Sequence, residues 1–199
     1  MNKSEQIKKD LYASNPKRIK HIEGVYECAI ALRNNHFPEI TDEEVAQASY
    51  MHDMTKEWDA KKHLELFEKY GVTPDEDGNS EKLFHARTAY LLAKHVYGLD
   101  DGVCSAIYYH TTGRANMTNL EKIIYLADYI EKNRTHIDCI DVRDTYNMLI
   151  ERGDSFALER AIMYSLDLTL EDLLKKSYFI HPDTVSARNY IFLQLKQEK

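Results

Sequence analysis

The fold is decided by residues 41–53, which read TDEEVAQASYMHD. Thr41, followed three residues later by Glu44, forms a capping box, the pattern that starts a helix. The apolar face of this helix recurs at steps of three: Val45, Ala48 and Met51. The helix ends on a histidine–aspartate pair, His52-Asp53. Because adjacent helical residues diverge by about 100°, we expect a turn or distortion there if both side chains are to reach one point.

The segment that contains His21 shows the same helical periodicity. Pro16 suits the first position of a helix, with Ser14 or Asn15 as its cap. An apolar stripe follows at steps of three and four: Ile19, Ile22, Tyr26 and Ile30. His21 lies on the adjoining line with Val25, Cys28 and Leu32, so we expect it to point toward packed surface.

Capping residues, glycines and prolines mark the other predicted helices. These run over Asp59 to Tyr70, closed by Gly71; from Ser80 and Glu81 to Gly98; from Asp100-Asp101-Gly102 to His110; from Asn119, as cap, through Asp128; over Val142 to Arg152 and Ala157 to Lys176; and after His181-Pro182-Asp183. The clearest loop is Thr73 to Asn79. We predict an all-α fold in one domain over residues 1–199, with a helical-bundle core at about 16–135 and a C-terminal helical extension at about 139–198.

The composition excludes several classes of protein. With 26 basic against 33 acidic residues the net charge is −7, and no long Lys/Arg run occurs, so nucleic acid is not expected as a main partner. Three cysteines without C-x-x-C spacing exclude a zinc ribbon and suggest free thiols. The chain has no apolar run of the roughly 20 residues needed to span a bilayer, and no apolar stretch at its start, so we expect a cytoplasmic protein.

Four residues are candidate ligands for a divalent cation: His21, His52, Asp53 and Asp128. Two neutral imidazoles and two carboxylates supply four donors and a charge of −2, which matches one M²⁺ ion. Asp128 lies in an apolar helical segment, where a carboxylate is costly without a cation or several hydrogen-bond donors. The alternative for Asp128 is a salt bridge to Arg18, Lys56 or Arg134.

Short sequence motifs around these residues form a longer pattern. They are Arg18-x-x-His21, HDMTK at residues 52–56, His85, HTTG at 110–113 and IIYLADYIEKNR at 123–134. In this order they resemble the HD-domain phosphohydrolase superfamily and, within it, the YqeK-type branch of symmetrical bis(5′-nucleosyl)-tetraphosphatases. The resemblance covers roughly Pro16 to Asn189. The family commonly has proline where this chain has Lys132.

The resemblance implies a single HD-type metal-dependent hydrolase that uses a metal-activated water to cut diadenosine tetraphosphate into two ADP molecules. It implies iron as the metal and leaves manganese, cobalt, zinc and magnesium open. Carried over by position, the metal ligands and catalytic residues are His21, His52, Asp53 and Asp128, with Lys56 as a further catalytic residue. The substrate-binding residues are Arg18, Lys56, His85, His110, Thr111 and Arg134.

Other interpretations remain open at this stage. His85 and His110 could bind a second metal, as in other HD-domain enzymes. The activity could be that of an HD-domain nucleotidase or a guanosine-polyphosphate hydrolase, or the chain could be a non-catalytic domain that senses metal or nucleotide. The sequence gives no oligomeric state, although its 14 tyrosines leave room for a homodimer interface.

Overall fold

The computed structural model describes residues 2–73 and 80–197. Throughout these residues the regular structure is helical, with ten α-helices and one short 3₁₀ turn, Pro16–Arg18. The helices are α1 Lys3–Ser14, α2 Ile19–His36, α3 Asp42–Met51, α4 Ala60–Tyr70, α5 Glu81–His95, α6 Asp101–Tyr109, α7 Asn119–Ile130, α8 Ile137–Glu151, α9 Ala157–Lys175 and α10 Pro182–Lys196. The predicted all-α class is confirmed.

Local sequence signals set the bounds of α3 and α4. The Thr41 side chain accepts the backbone N–H of Glu44, and the Glu44 side chain accepts that of Thr41, so the predicted capping box is present. Asp59 caps α4, and Gly71 ends it in the left-handed conformation with φ 66°. The predicted capping box and the predicted closure of the helix by Gly71 are both confirmed.

Several bounds differ from the predicted ones, and four of these differences concern how a helix starts or ends. Pro16 begins a 3₁₀ turn, and α2 follows at Ile19. The helix that carries Asp128 is capped by Thr118, not Asn119, because the Thr118 hydroxyl accepts from the backbone of Glu121. Helix α8 begins at Ile137, five residues before the predicted start, after a histidine cap. Helix α5 ends at His95, before Gly98. Most of the predicted loop, residues 74–79, lies outside the described residues.

Helix α1 was not predicted individually. It packs on α3 through two fully buried side chains, Ile7 and Leu11, one turn apart. A capping box between Asn2 and Glu5 starts it. The sequence carries few apolar residues in this segment, so the helix depends on this tertiary contact more than on its own pattern.

The core brings α2, α3 and α7 together, which positions the candidate ligands. Helix α2 packs against α3 and α7, and α6 packs against α5 and α7. The fully buried side chains at this crossing include Ile22, Val25, Ile123 and Ile124. Helices α8, α9 and α10 pack in succession, and α9 joins them to α7.

Two further expectations concern the thiols and the membrane. Cys28, Cys104 and Cys139 are free, and the last two are buried. In the described part of the chain, every helix is too short or too polar to cross a bilayer.

Candidate metal centre

The four candidate ligands converge at one point although they come from three segments of the chain. His21 lies in the first turns of α2, and Asp128 lies near the end of α7. His52 and Asp53 follow α3 in a run of turns, which supplies the predicted distortion after Met51. His52 and Asp53 are almost fully buried, whereas 18% of the Asp128 side chain stays exposed, so the cluster opens on the Asp128 side.

The distances within the cluster suit one bound ion. Nε2 of His21 lies 3.5 Å from Oδ2 of Asp53 and 3.0 Å from Oδ1 of Asp128. Nε2 of His52 lies 3.7 Å and 3.8 Å from the same two oxygens. Ligands that each bind a transition metal at about 2.1 Å are separated by roughly 3.0 to 3.5 Å, so small adjustments would place all four around one ion.

Hydrogen bonds on the far side of each imidazole fix its tautomer. Nδ1 of His52 donates to the carbonyl oxygen of Ser49 at 2.7 Å. Nδ1 of His21 lies 3.2 Å from Oε1 of Glu131, a carboxylate that can only accept when ionised. In neutral rings these contacts leave the Nε2 lone pairs facing the carboxylates, which is the arrangement found in metal-binding histidines.

The two Nε2 atoms provide the test of whether the residues present fit a metal. Within residues 2–73 and 80–197, both are buried and neither has a hydrogen-bond partner. A buried acceptor without a partner is costly, and two of them aimed at the same carboxylates are rare without a shared ligand. An ion that accepts both lone pairs satisfies both atoms at once. The donor set therefore fits a divalent cation.

Two arginines contact the same carboxylate oxygens. Arg18 donates to Oδ2 of Asp53, and Nη2 of Arg134 lies 2.5 Å from Oδ1 of Asp128. The salt bridge weighed as the alternative for Asp128 is thus present. Ion pairs alone do not account for the two unpaired imidazole nitrogens. Because a carboxylate oxygen has two lone pairs, each can accept from arginine and still face an ion.

Burial and charge shift the pKa values of the cluster in directions that favour metal binding. Complete burial lowers the pKa of His52 to about 4, so this imidazole stays neutral at pH 7. Burial alone would raise the pKa of Asp53 and that of Asp128. At the low pH where these carboxyl groups titrate, His52 is protonated and outweighs the effect of burial on Asp53, and Arg134 does the same for Asp128, so both pKa values lie well below the usual range.

A second group of histidines surrounds the other oxygen of Asp53. Nε2 of His85 lies 3.3 Å from Oδ1 of Asp53, and Nε2 of His110 lies 3.8 Å from it. Lys56 Nζ approaches the His85 ring to 3.1 Å, and the Thr111 hydroxyl lies 3.1 Å from Nε2 of His110. Asp53, His85 and His110 could also hold an ion, so the geometry agrees with both roles considered for these histidines.

The remaining histidines have contacts outside the two histidine groups. Nε2 of His36 lies 2.9 Å from the Tyr146 hydroxyl, and Nδ1 of His63 lies 2.9 Å from that of Thr88. The His95 ring stacks on Tyr70. The other two accept backbone N–H groups at helix starts: His136 at α8 and His181 at α10.

Several residues at the centre were missed by the sequence analysis. Glu131 is buried, lies against His21, and follows Asp128 by three residues, a spacing that could have placed it on the same face. Asn15 donates from Nδ2 to the backbone oxygen of Asp53 at 3.2 Å. The Thr55 hydroxyl donates to the backbone oxygen of His85 at 2.8 Å. These two contacts depend on packing between distant segments.

A cavity of about 480 Å³ adjoins the second histidine group. Its walls include Lys56, Trp58, His63, Lys82, His85 and Thr111. On the other side of the centre a smaller cavity, about 230 Å³, is lined in part by Asp128 and Arg134. The candidate metal centre therefore adjoins two clefts, and each has basic residues in its wall: Lys56 and Lys82 in the larger, Arg134 and Lys176 in the smaller.

Comparisons with known proteins agree with this geometry. The family model described as HD domain matches residues 18–133. A protein from Halalkalibacterium halodurans named "Bis(5'-nucleosyl)-tetraphosphatase, symmetrical" is 37% identical over 181 residues, which cover 90% of this chain and 91% of that one. One of the same name from Staphylococcus aureus is 32% identical and covers 87% and 86%.

A solved structure from Clostridium acetobutylicum has the same fold. It is described as a "predicted HD superfamily hydrolase involved in NAD metabolism". It is 34% identical, with a TM-score of 0.82, and the match covers 96% of this chain and 97% of that one. The chain therefore belongs to the HD-domain superfamily, in the branch of the symmetrical bis(5′-nucleosyl)-tetraphosphatases.

Proposed function

We propose that this protein hydrolyses diadenosine tetraphosphate symmetrically to two ADP molecules. The observation that carries the proposal is the pair of buried, unpaired Nε2 atoms that face two carboxylates, with cations around them. Relatives at 31–37% identity that bear the name of this activity support the same substrate. Metal chemistry and phosphate binding are thereby combined in one site.

A divalent cation in such a site lowers the pKa of a bound water and polarises a phosphoryl oxygen. We assign its binding to His21, His52, Asp53 and Asp128. Glu131 and the backbone of Ser49 hold the two imidazoles so that Nε2 faces the ion. These four residues would hold the ion, and the ion would supply binding positions for water and for a phosphoryl oxygen of the substrate.

The reaction joins the oxygen of water to one of the two central phosphorus atoms. The oxygen that bridges to the other central phosphorus leaves with the second ADP, and the protons of the water pass to solvent. Charge builds up on phosphate oxygens, so catalysis depends on positioning and on nearby cations. We assign this role to Lys56, Arg18 and Arg134.

The neutral groups around Lys56 position the chain of phosphates. Polar atoms of His85, His110 and Thr111 lie within 3.5 Å of one another, and His85 and Thr111 line the larger cleft. Burial lowers the pKa of His85 and that of His110, so both rings stay neutral at pH 7. Nδ1 of His110 donates to the carbonyl oxygen of Ile107 at 2.8 Å, which leaves its Nε2 as an acceptor. Local cations thus bind a polyanion despite the net charge of −7.

The experiment that tests the proposal is product analysis. The metal-loaded protein is incubated with diadenosine tetraphosphate, AMP, dAMP and guanosine polyphosphates, and products are separated by chromatography. ADP as the sole product of the first substrate supports the proposal. Orthophosphate from AMP or dAMP would indicate a nucleotidase, and binding without turnover would indicate a sensing domain.

The same proposal extends to finer points. We propose iron as the native metal, because a mixed site of imidazole and carboxylate suits iron or manganese better than calcium. Elemental analysis of protein purified without added metal tests this. The extent of the single domain, the cytoplasmic location and a homodimer stay predictions.

A further inference from the structure

A third cavity, of about 390 Å³, lies beside the candidate metal centre. We call it the C-terminal cavity, because α9, α10 and the segment between them form much of its wall. Its walls include Lys82, Leu83, Thr111, Leu173, Tyr178 and Phe179. A volume of this size and a mainly apolar wall with a few polar groups are typical of a small-molecule subsite.

Two adjacent aromatic side chains remain half-exposed at this cavity. Tyr178 is 48% exposed and Phe179 47% exposed. Ser177 precedes them with a φ of 52°, and the Tyr178 N–H donates to the carbonyl of Leu173 at the end of α9. This turn presents both rings at the cavity instead of packing them in the core. Lys82 Nζ lies 3.5 Å from the centre of the Tyr178 ring.

The C-terminal cavity shares wall residues with both clefts of the metal centre. It shares Lys82 and Thr111 with the cleft that contains Lys56 and His85. It shares Leu173, and Thr169 beside it, with the cleft that contains Asp128 and Arg134. The shared walls place this cavity next to both clefts, within reach of the far end of a ligand whose phosphates lie at the metal centre.

We propose that the C-terminal cavity binds one purine base of the substrate, stacked on Tyr178 or Phe179. The inference rests on the proposed function, which supplies a substrate with a base at each end. Aromatic side chains bind bases through their faces, and the larger purine surface gains more from stacking than a pyrimidine does. Lys82 lines both this cavity and the cleft that contains Lys56, and its ammonium lies over one face of the Tyr178 ring.

This assignment divides the site along the sequence. The HD-domain match ends at residue 133, so the aromatic pair and the whole of α9 and α10 lie beyond it. The metal ligands lie within it. Base recognition would thus come from the C-terminal extension, and hydrolysis from the HD core.

The first test compares steady-state kinetics of the metal-loaded full chain on diadenosine tetraphosphate. The double variant Tyr178→Ala/Phe179→Ala should raise KM at least tenfold and change kcat less than threefold. Tyr178→Phe, which keeps the ring, should behave like the wild type. Leu174→Ala is the matched control, because Leu174 is exposed on the neighbouring turn and lies outside the cavity wall. An unchanged KM in the double variant would overturn the inference.

The second test uses a mixed substrate, adenosine tetraphosphouridine, in ¹⁸O-labelled water. Symmetrical cleavage gives ADP and UDP, and the label marks whichever central phosphorus was attacked. If one cavity selects purine, the wild type should label the two products unequally, and the double variant should move the ratio toward equality. Equal labelling by the wild type, or an unequal ratio that the double variant leaves unchanged, would overturn the inference.

These outcomes are separable from failure of the proposed function. If the wild type does not release ADP from diadenosine tetraphosphate, the proposed function fails and the base assignment with it. If the wild type releases ADP and both measurements are insensitive to the aromatic pair, only the base assignment fails. Circular dichroism of each variant checks that the helices are intact.

Discussion

Glu131 lies against His21 on the side away from the candidate metal, with Oε1 of Glu131 3.2 Å from Nδ1 of His21. The other oxygen, Oε2, accepts the backbone N–H of Asn133 at 2.6 Å. Gly24 makes this packing possible, since a Cβ at that position would lie 2.2 Å from Oε2. Glu131 thus orients His21 through a contact that reaches from the end of α7 to α2.

Glu131→Gln should lower metal affinity by roughly tenfold to a hundredfold, the usual effect of removing the outer partner of a metal-binding histidine. The amide no longer requires His21 to carry its proton on Nδ1, so Nε2 is less often free to bind. Competition with a chelator of known affinity measures the change.

Two further variants test this explanation. Glu27→Gln is the control, because Glu27 is exposed and pairs with Lys132 on the surface. It should bind metal like the wild type. Gly24→Ala should reproduce much of the Glu131→Gln effect by displacing the carboxylate. Normal affinity in Glu131→Gln would show that Glu131 does not position His21.

Asp128→Ala should remove tightly bound metal and abolish hydrolysis while the helical fold stays intact. The variant removes one of the four candidate ligands and leaves two neutral imidazoles with a single carboxylate. Elemental analysis after gel filtration and circular dichroism measure the two parts of the prediction. Asp141→Ala, on the exposed face of α8, is the control. Full metal occupancy in Asp128→Ala would exclude Asp128 as a ligand.

Arg134→Ala should raise KM about tenfold to a hundredfold, as expected for loss of a charge-assisted hydrogen bond to phosphate. Its metal content should not fall, because the variant also frees Oδ1 of Asp128 from an ion pair. Steady-state kinetics and elemental analysis of the same sample separate the two effects. Arg160→Ala removes a surface pair with Asp154 and should leave KM unchanged. Unchanged kinetics in Arg134→Ala would remove Arg134 from the site.

His110→Ala distinguishes substrate binding from a second metal site. If His85 and His110 contact substrate, as we expect, the wild type holds one ion per chain and the variant keeps it, with a higher KM. Metal titration followed by calorimetry gives the stoichiometry. Two ions in the wild type and one in His110→Ala would favour the second-metal alternative.

The metal-free protein should lose stability as the pH falls from about 6.5 to about 4. The folded-state pKa of His52 is lowered to about 4 from the ordinary 6.5, so the unfolded chain binds a proton in this window that the folded chain does not. By linkage this favours unfolding as the pH falls, by about 3 kcal/mol for this one group. The lowered pKa values of His85 and His110 act in the same direction.

Urea unfolding in chelator at pH 7 and pH 5 measures this loss. His52→Gln should lose less stability between the two pH values than the wild type, whatever its stability at pH 7. His95→Gln, whose ring stacks on Tyr70 at the surface, should keep the full pH dependence. The lowered pKa values of Asp53 and Asp128 act below about pH 4, outside this window. An unchanged pH dependence in His52→Gln would contradict the assignment.

Features that depend on neighbouring residues could be predicted from the sequence. The capping box at Thr41 and the left-handed Gly71 are local signals, and both helices begin or end where these signals lie. Helix α1 has only Ile7 and Leu11 as buried apolar residues, so the spacing of its apolar residues does not predict that it packs on α3. The start of α8 was missed because His136 is an unusual cap.

At the site, too, residues that belong to a sequence motif could be predicted, whereas contacts that depend on tertiary packing could not. His21, His52, Asp53 and Asp128 could be proposed together because their residue types and order match a known pattern, and the structure brings them into one cluster. The Glu131 contact depends on how α2 and α7 pack, which no motif encodes. The C-terminal cavity likewise forms only when the α9–α10 segment folds back beside Thr111.

The spacing of the four candidate ligands has a consequence for the lifetime of the protein in the cell. His21 and His52 are thirty-one residues apart, and Asp53 and Asp128 are seventy-five residues apart. A bound ion would therefore link segments that are distant in the sequence. An ion that binds only the folded chain raises the free energy of unfolding with the logarithm of its free concentration. In a cell starved of that metal, the protein would become both inactive and more readily degraded, so its abundance would follow the metal supply.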